Sequence, residues 1–482
     1  MQRSGSVNKK QYKYDQVSDY VMAMIENGTL KLGDRAPSLR KLSQILKVSI
    51  STINQAYVQL EDKGVLQARP QSGFYINADI QCTIDTPKPI ISGSCQPRNV
   101  RFSKLFEDIS KISNNTRIAP FAAAKAPLEL MPVKALIRET RNMISRYPAA
   151  SLDYCYPPGD EKLRHQIALR YSDMGVNVAA DEIIITNGAT EALSLSLQAV
   201  AKRGDIIVVE SPTLFSVLRL IEKLGMLALE VDTDPATGIN FDSLEYALDT
   251  MDVTAMLVVP NFNNPLGSLM PEANKKRLVQ LLQERNIPLI EDDVYGDLYF
   301  GDERPGIAKC YDNDNRVLSC SSFSKTISPG FRMGWVAGGK HHAQIMEWKQ
   351  ASSTASPSLQ QLVLAEFLRS GQYDRHLMHL RKALKFQVEK GRLMIARAFP
   401  QGTLISDPQG GCMLWIKLPD GVNCLDLYSL ALEHNIGTMP GIIFSATRKF
   451  RNYIRLNCGS PWIEENEQAI QTLGELVHSL VN

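Results

Sequence analysis

The chain has 482 residues, 44 % of them hydrophobic and 22 % charged, with a formal net charge of +2. These proportions exclude a disordered chain, a collagen-like repeat and a polycation, and the length leaves room for roughly three units of ~150 residues. A nucleic-acid partner would have to be held by a local basic surface rather than by overall charge.

Residues 1–80 carry such a bias, with eleven Lys and Arg against seven Asp and Glu. The first 14 residues are polar and basic and lack the apolar stretch of a secretory signal. No run approaches the ~20 apolar residues of a membrane-spanning helix. The eight cysteines (Cys82, Cys95, Cys155, Cys310, Cys320, Cys412, Cys424 and Cys458) are irregularly spaced and form no C-x-x-C pair. The expectation is free thiols, no metal site and a cytoplasmic protein that does not enter the membrane.

In chain order, a first helix is predicted over 14–27, with Val17, Val21, Met24 and Ile25 on one face and Gly28 ending it. Leu30, Leu32 and Gly33 lead to Pro37 and Ser38. A second helix follows, with Leu39, Leu42, Ile45 and Leu46 facing inward. After a turn at 47–50, Ser51 is expected to cap a third helix whose buried stripe is Ile53, Ala56, Tyr57 and Leu60, and Gly64 stops it. Strands at 65–68 and 74–76 form a hairpin.

Two short helices, a tight turn and a hairpin make a winged helix-turn-helix, whose second helix enters the DNA major groove by its N-terminal end. That end presents Ser51, Thr52, Asn54 and Gln55, all able to bond phosphates or base edges. Arg35, Ser38, Arg40 and Lys41 are further candidates for DNA contact, with Arg69 and Gln71 on the wing. From spacing alone, a helical protein-interaction module competes. The residues favour DNA. The run 33–42, with Val48, Ser49, Thr52, Ala56, Tyr57, Leu60, Glu61, Gly64, Ser72 and Gly73, resembles the GntR-type winged helix, and the resemblance implies a DNA-binding domain over 10–78. Two positions depart from it: Ala36 stands where a larger apolar residue is common, and Ile50 where Arg or another polar residue usually follows the turn serine.

Residues 79–118 lack periodicity and hold Pro87, Pro89, Gly93 and Pro97, the composition of a linker, although a helix could occupy 101–112. From 119 to 482, strands alternate with helical stretches. The clearest strands lie at 183–186, 205–210, 256–260, 288–292, 317–320 and 333–337. This alternation predicts an α/β domain with a mostly parallel sheet.

Several motifs follow strands. Tyr156 to Asp160 precede Leu163 and Arg164. Asn187, Gly188, Ala189 and Thr190 form a glycine turn into a helix, where exposed amides suit a phosphate. Asn264, Pro265 and Gly267 form a turn. Glu291, Asp292, Asp293 and Tyr295 end a strand, a common place for ligand groups in an open α/β sheet. Ser322, Ser324 and Lys325 precede Arg332, and Arg455 lies in an apolar strand. Each alone has an ordinary explanation: a capped helix, a turn, a solvated lysine, an ion pair.

In this order the set resembles the fold-type I pyridoxal-phosphate enzymes of the aspartate aminotransferase superfamily. The resemblance implies pyridoxal 5'-phosphate as cofactor and a smaller C-terminal α/β subdomain from about residue 375. It implies that Lys325 forms an aldimine with the cofactor, as a reversible carbonyl carrier requires. Asp292 would pair with the pyridine nitrogen. Tyr295 and Asn264 would bond the phenolic oxygen. Ala189, Thr190, Ser322 and Arg332 would hold the phosphate, and Arg455 an amino acid's carboxylate. An aromatic residue usually stacks on the ring at the position of Leu214; here Phe215, one step later, is the candidate. Residues 121–127 replace a glycine-containing substrate loop.

A GntR-type winged helix joined to an aminotransferase-like domain resembles the MocR subfamily of regulators. That implies a homodimer bound to operator DNA, with a small amino compound or the cofactor itself sensed at Lys325. The competing readings are an active aminotransferase with an appended winged helix, and a cofactor-binding module whose helices contact another protein.

Overall fold

The computed structural model describes residues 13–26, 29–30, 33–62, 65–69, 73–76, 84–90, 96–100, 118–124 and 127–481. Gly28, Leu32, Gly64, Gln71, the side chain of Arg69, and the helix considered for 101–112 lie outside the described residues. The chain divides into two compact units, one formed by Met1–Ile84 with Glu389–Arg397, the other by Asp85–Val388 with Ala398–Asn482.

The first unit contains α1 (Lys13–Glu26), α2 (Leu39–Leu46), α3 (Ile50–Asp62), β1 (Leu66–Arg69) and β2 (Gly73–Ile76). The stripe of α3 is buried as its spacing predicts: Ile53, Ala56, Tyr57 and Leu60 are each at most 1 % exposed and meet Val17, Val21 and Leu42. The Tyr57 hydroxyl donates to the Pro37 carbonyl at 2.6 Å, and its ring meets Phe74 edge-on at 5.1 Å. The wing is an antiparallel pair with Leu66 opposite Ile76. Residues 33–36 add a third extended segment to it, through Ala36 N–H to Phe74 O and Ile76 N–H to Asp34 O, both 2.8 Å.

Two details correct the sequence reading. Ile45 is half exposed rather than inward, because α2 is two turns long and Leu42 alone is fully buried, with Leu39 and Leu46 at its flanks. The cap of α3 is Ser49, not Ser51. The Ser49 hydroxyl accepts the Thr52 N–H at 3.1 Å and lies 2.8 and 2.7 Å from the Ser51 and Thr52 hydroxyls.

The second unit is built on an eight-stranded sheet ordered β3-β10-β9-β8-β7-β4-β5-β6. Its strands are β3 (Ile183–Thr186), β4 (Ile206–Ser211), β5 (Leu227–Asp234), β6 (Gly238–Ile239), β7 (Val253–Val258), β8 (Leu289–Asp292), β9 (Val317–Ser322) and β10 (Gly334–Ala337). β9, β8, β7, β4 and β5 pair in parallel, and β10 runs antiparallel between β3 and β9. The sheet is therefore mixed but mostly parallel. Helices cover both faces, so the strands are apolar on both sides. In β3, Ile183 and Ile185 enter one core cluster and Ile184 the other.

A second sheet, antiparallel in the order β11-β12-β14-β13, contains β11 (Leu404–Ile405), β12 (Met413–Lys417), β13 (Met439–Pro440) and β14 (Tyr453–Asn457). In it Trp415 stacks on Tyr453 at 5.2 Å and meets Phe444 and Phe450 edge-on.

The linker composition did not anticipate that parts of it join the second unit. Arg98 and Ala228 exchange backbone bonds at 2.9 and 3.0 Å, Val100 is buried, and Asp85 O accepts from Ile405 N.

Candidate cofactor and nucleic-acid sites

In the first unit the leading end of α3 faces solvent. Ser51, Asn54 and Gln55 are exposed and Thr52 is half-buried. Arg35, Arg40 and Lys41 are exposed, as is Ser38, whose hydroxyl caps α2 by accepting the Lys41 N–H at 3.2 Å. A polar, cationic surface around a helix N-terminus can contact phosphates and base edges. Because the Ser49 cap holds the Ser51 and Thr52 hydroxyls, Asn54 and Gln55 are the polar side chains best free to reach out.

In the second unit, parallel pairing, with β10 antiparallel between β3 and β9, brings the C-terminal ends of β3, β4, β7, β8 and β9 to one edge, the usual place for a ligand in such a sheet. Three successive carboxylates at the end of β8 take different partners. Glu291 accepts the Ala308 and Lys309 amides at 2.5 and 3.3 Å. Asp293 pairs with Arg304 and accepts from Asn261 at 2.8 Å. Between them, Asp292 is 2 % exposed, and among the described residues its carboxylate accepts a hydrogen bond from Val294 N–H at 3.3 Å. Burial, and then the charge of Asp293, push Asp292 up to about 7, while Lys325 acts in the opposite direction. A buried carboxylate held this way favours a cationic partner.

Lys325 follows β9. Its amine lies 5.6 Å from the centre of the Tyr295 ring and donates to Ala124 O at 2.6 Å. Asn264 donates to the Tyr295 hydroxyl at 3.2 Å, and Arg455 reaches Asn264 Oδ1 at 3.4 Å and the Ala122 carbonyl. Lys325, Tyr295, Asn264 and Arg455 thus form one line of contacts from two different sheets. Arg455 is fully buried, its Nε has no partner, and among the described residues no carboxylate pairs with it. Burial lowers its pKa to about 10, which still leaves it charged at neutral pH. An unpaired buried guanidinium fits a carboxylate ligand.

The helix Ala189–Val200 begins without a side-chain cap, after Gly188 at φ 83°. Without a side-chain cap, its first amides suit an anion such as a phosphate. Arg332 lies against this turn, donating to Asn187 O at 3.0 Å and to Ser324 Oγ at 3.5 Å, and a Cβ on Gly188 would strike its guanidinium. Ser322 is buried and its hydroxyl accepts the Ser324 N–H at 3.3 Å. The register sets Gly334 opposite both Ser322 and Thr186, which brings the two halves of this cradle together. Phe215 packs edge-on against Phe444 at 6.1 Å, and Leu214 joins a core cluster beside it.

Several buried groups were invisible in the sequence. Glu210 accepts from Val259 N and Asn263 Nδ2 at 2.7 and 2.8 Å, and burial, with Asp292 nearby, raises it to about 8. Arg170, Asp297, Arg304 and Tyr373 form a network beneath the Lys325 turn, Tyr373 bonding Thr326 at 3.0 Å. Glu191 ties the Asn187 amide to buried Lys349. Glu191 directly follows the helix-start turn at 187–190, whereas nothing local marks the others, because their partners are distant in the chain.

An uncapped helix start beside an arginine, a buried carboxylate, and a lysine near a tyrosine together match what pyridoxal phosphate requires: sites for a phosphate, a ring cation and an aldehyde. The comparisons with known proteins agree. Residues 131–473 match the family described as aminotransferase class I and II, and residues 13–76 match bacterial regulatory proteins of the gntR family. The chain belongs to both families. It is 38 % identical to the Escherichia coli protein named uncharacterized HTH-type transcriptional regulator YdcR, over 96 % of this chain and 99 % of that one. A second E. coli protein of the same description, YjiR, is 36 % identical over 97 % and 99 %. Among solved structures, the α-aminoadipate aminotransferase LysN of Thermus thermophilus, complexed with N-(5'-phosphopyridoxyl)-L-leucine, superposes with a TM-score of 0.72 at 26 % identity, covering 80 % of this chain and 96 % of that one.

Proposed function

We propose that this protein is a pyridoxal-phosphate-binding transcription regulator that reads operator DNA through α3 and senses a small amino compound, or the cofactor itself, at Lys325. The observation that carries the sensing half is Arg455: a buried guanidinium with a free Nε, in contact with Asn264 and through it with Tyr295. Such a group suits a ligand that carries a carboxylate beside its amine.

Pyridoxal phosphate supplies an aldehyde that amines capture reversibly, on a ring that withdraws electrons. The chain's own residues set the conditions. Lys325 is the amine positioned to hold the aldehyde, and its neighbour Tyr295 can hold a proton at the phenolic oxygen. Asp292 keeps a proton on the pyridine nitrogen. The Ala189 and Thr190 amides, Ser322 and Arg332 would hold the phosphate, and Phe215 or Leu214 would supply an apolar side chain to the ring. An incoming amino acid would be oriented by Arg455 and compete with Lys325.

We place the protein in the cytoplasm with its DNA, as a homodimer. Exposed apolar residues support the dimer: Leu152, Tyr154 and Tyr156 are 90, 69 and 61 % exposed, and Val133, Ile137 and Ile144 line one face of the helix Val133–Arg146. Dimer geometry would carry the signal, because a ligand shifts an equilibrium only by its difference in affinity between two states.

The test compares operator affinity for the cofactor-free protein, the loaded protein and Lys325→Ala across candidate amines. Affinity that changes with cofactor or amine, and only when Lys325 is present, supports the proposal; affinity identical in all states would sink it. The contacts among Lys325, Tyr295, Asn264 and Arg455 also favour a second reading, an aminotransferase with an appended winged helix. Amino transfer to an oxo acid at about one turnover per second or faster would favour that reading.

A further inference from the structure

We propose that Ile50 reads a base: the operator carries a thymine whose 5-methyl group this side chain covers. The inference rests on α3 being the DNA-reading helix. α3 buries residues 53, 56, 57 and 60; Ile50, its first residue, flanks that stripe and, like Ser51, Asn54 and Gln55, is exposed at the leading end. Ile50 is 48 % exposed, an apolar side chain between Ser49 and Ser51 in the chain.

Helix formation does not explain it. The turn is already closed by Ser49, which holds the Thr52 amide and meets the Ser51 and Thr52 hydroxyls. Ile50 is also absent from the core cluster that holds its neighbour Ile53. The cap engages both hydroxyls, so Ile50, Asn54 and Gln55 remain as the side chains able to reach a groove floor.

The surroundings indicate the occupant. Arg35, Arg40, Lys41 and Lys47 are all exposed in the same unit, and residues 1–80 carry a cationic excess. A cationic unit with an exposed aliphatic side chain at the start of this helix suits a polyanion with an apolar spot better than an apolar protein face. In the major groove that spot is the thymine methyl, which other bases lack.

The full-length protein is first used to select an operator from random duplexes. Each thymine is then replaced in turn by uracil, which pairs identically but lacks the methyl. The wild-type protein is expected to lose about four- to fifteenfold in affinity at one thymine of each half-site, the effect of exposing one or two methyl-sized groups. Ile50→Val should keep most of that discrimination. Ile50→Ala should abolish it while leaving the salt dependence of binding unchanged, since phosphate contacts are untouched.

Uniform tolerance of uracil by the wild-type protein, or equal sensitivity in Ile50→Ala, would overturn the inference and leave DNA reading intact. Absence of salt-dependent binding to any duplex would instead overturn the DNA-reading function, and this inference with it.

Discussion

Helix α3 and strand β8 each deliver candidate functional residues, yet into opposite surroundings. On α3, Asn54 and Gln55 stand in water on a small core, and little but the Ser49 cap orders the helix start. At the end of β8, Asp292 is buried between two carboxylates that are themselves fully engaged. The first arrangement defers desolvation until a partner arrives, as suits a surface that must find and leave DNA. The second has already desolvated its charges, and it is least stable when its cationic partner is missing. Single substitutions should therefore act on binding in the first unit, and on both ligand chemistry and pH-dependent stability in the second.

The sharpest contrast should come from Lys325→Ala. The visible absorption of the loaded protein, and its trapping by borohydride, should disappear completely. The fold should survive, since among the described residues this amine donates its hydrogen bond to the Ala124 carbonyl and pairs with no carboxylate. Retention of the band in the variant would remove Lys325 from the site.

Next in size, Arg455→Met should weaken capture of α-amino acids by about a hundredfold, the usual effect of removing one partner from a buried charge pair. Amines without a carboxylate should bind as before. Spectral titrations with an amino acid and its decarboxylated amine measure both, and an equal loss for the two ligands would mean that Arg455 is structural.

These residues were legible in the sequence because most sit at a strand end or turn with a fixed local pattern, Asp292 at β8, Lys325 after β9 and Asn264 in its turn, while Arg455 is the charge in the apolar run of β14. What escaped was set by distant partners or by backbone geometry. β5 was missed because Glu230 and Asp232 interrupt its apolar run; both are buried and bonded to Ser445, Thr447 and Lys449. Arg304 and Asp297 carry no local signal, since what defines them is Asp293, Arg170 and Tyr373. Ile45 was misplaced because helical spacing gives a face but not how much of it a two-turn helix can bury.

A smaller effect follows from Asp292 itself. With its pKa raised to about 7 by burial and by Asp293, its favourable contribution to cofactor-free stability is complete below the ordinary carboxylate range and is lost as pH rises through about 7. Asp292→Asn removes that dependence. Between about pH 5 and pH 8 the melting temperature of the cofactor-free wild type should fall by several degrees more than that of the variant. Loading the cofactor, whose ring cation would pair with this carboxylate under the proposed function, should narrow the difference. Parallel melting curves without cofactor would show that Asp292 does not sense burial.

The smallest effect tests the exposed side. Ser49 and Ser51 both satisfy the composition of a helix cap, and only backbone geometry distinguishes them. Ser49→Ala should lower the stability of the first turn of α3 by about 1 kcal/mol. Ser51→Ala should change it little, because Ser51 gives up only a hydroxyl contact with Ser49. Amide hydrogen exchange along α3 reads this directly, as local opening near Thr52 rather than global unfolding. If Ser51→Ala loosened the turn more, the cap would belong to Ser51, the Ser49 hydroxyl would be free to face DNA, and Ile50 would no longer be the first side chain of the helix.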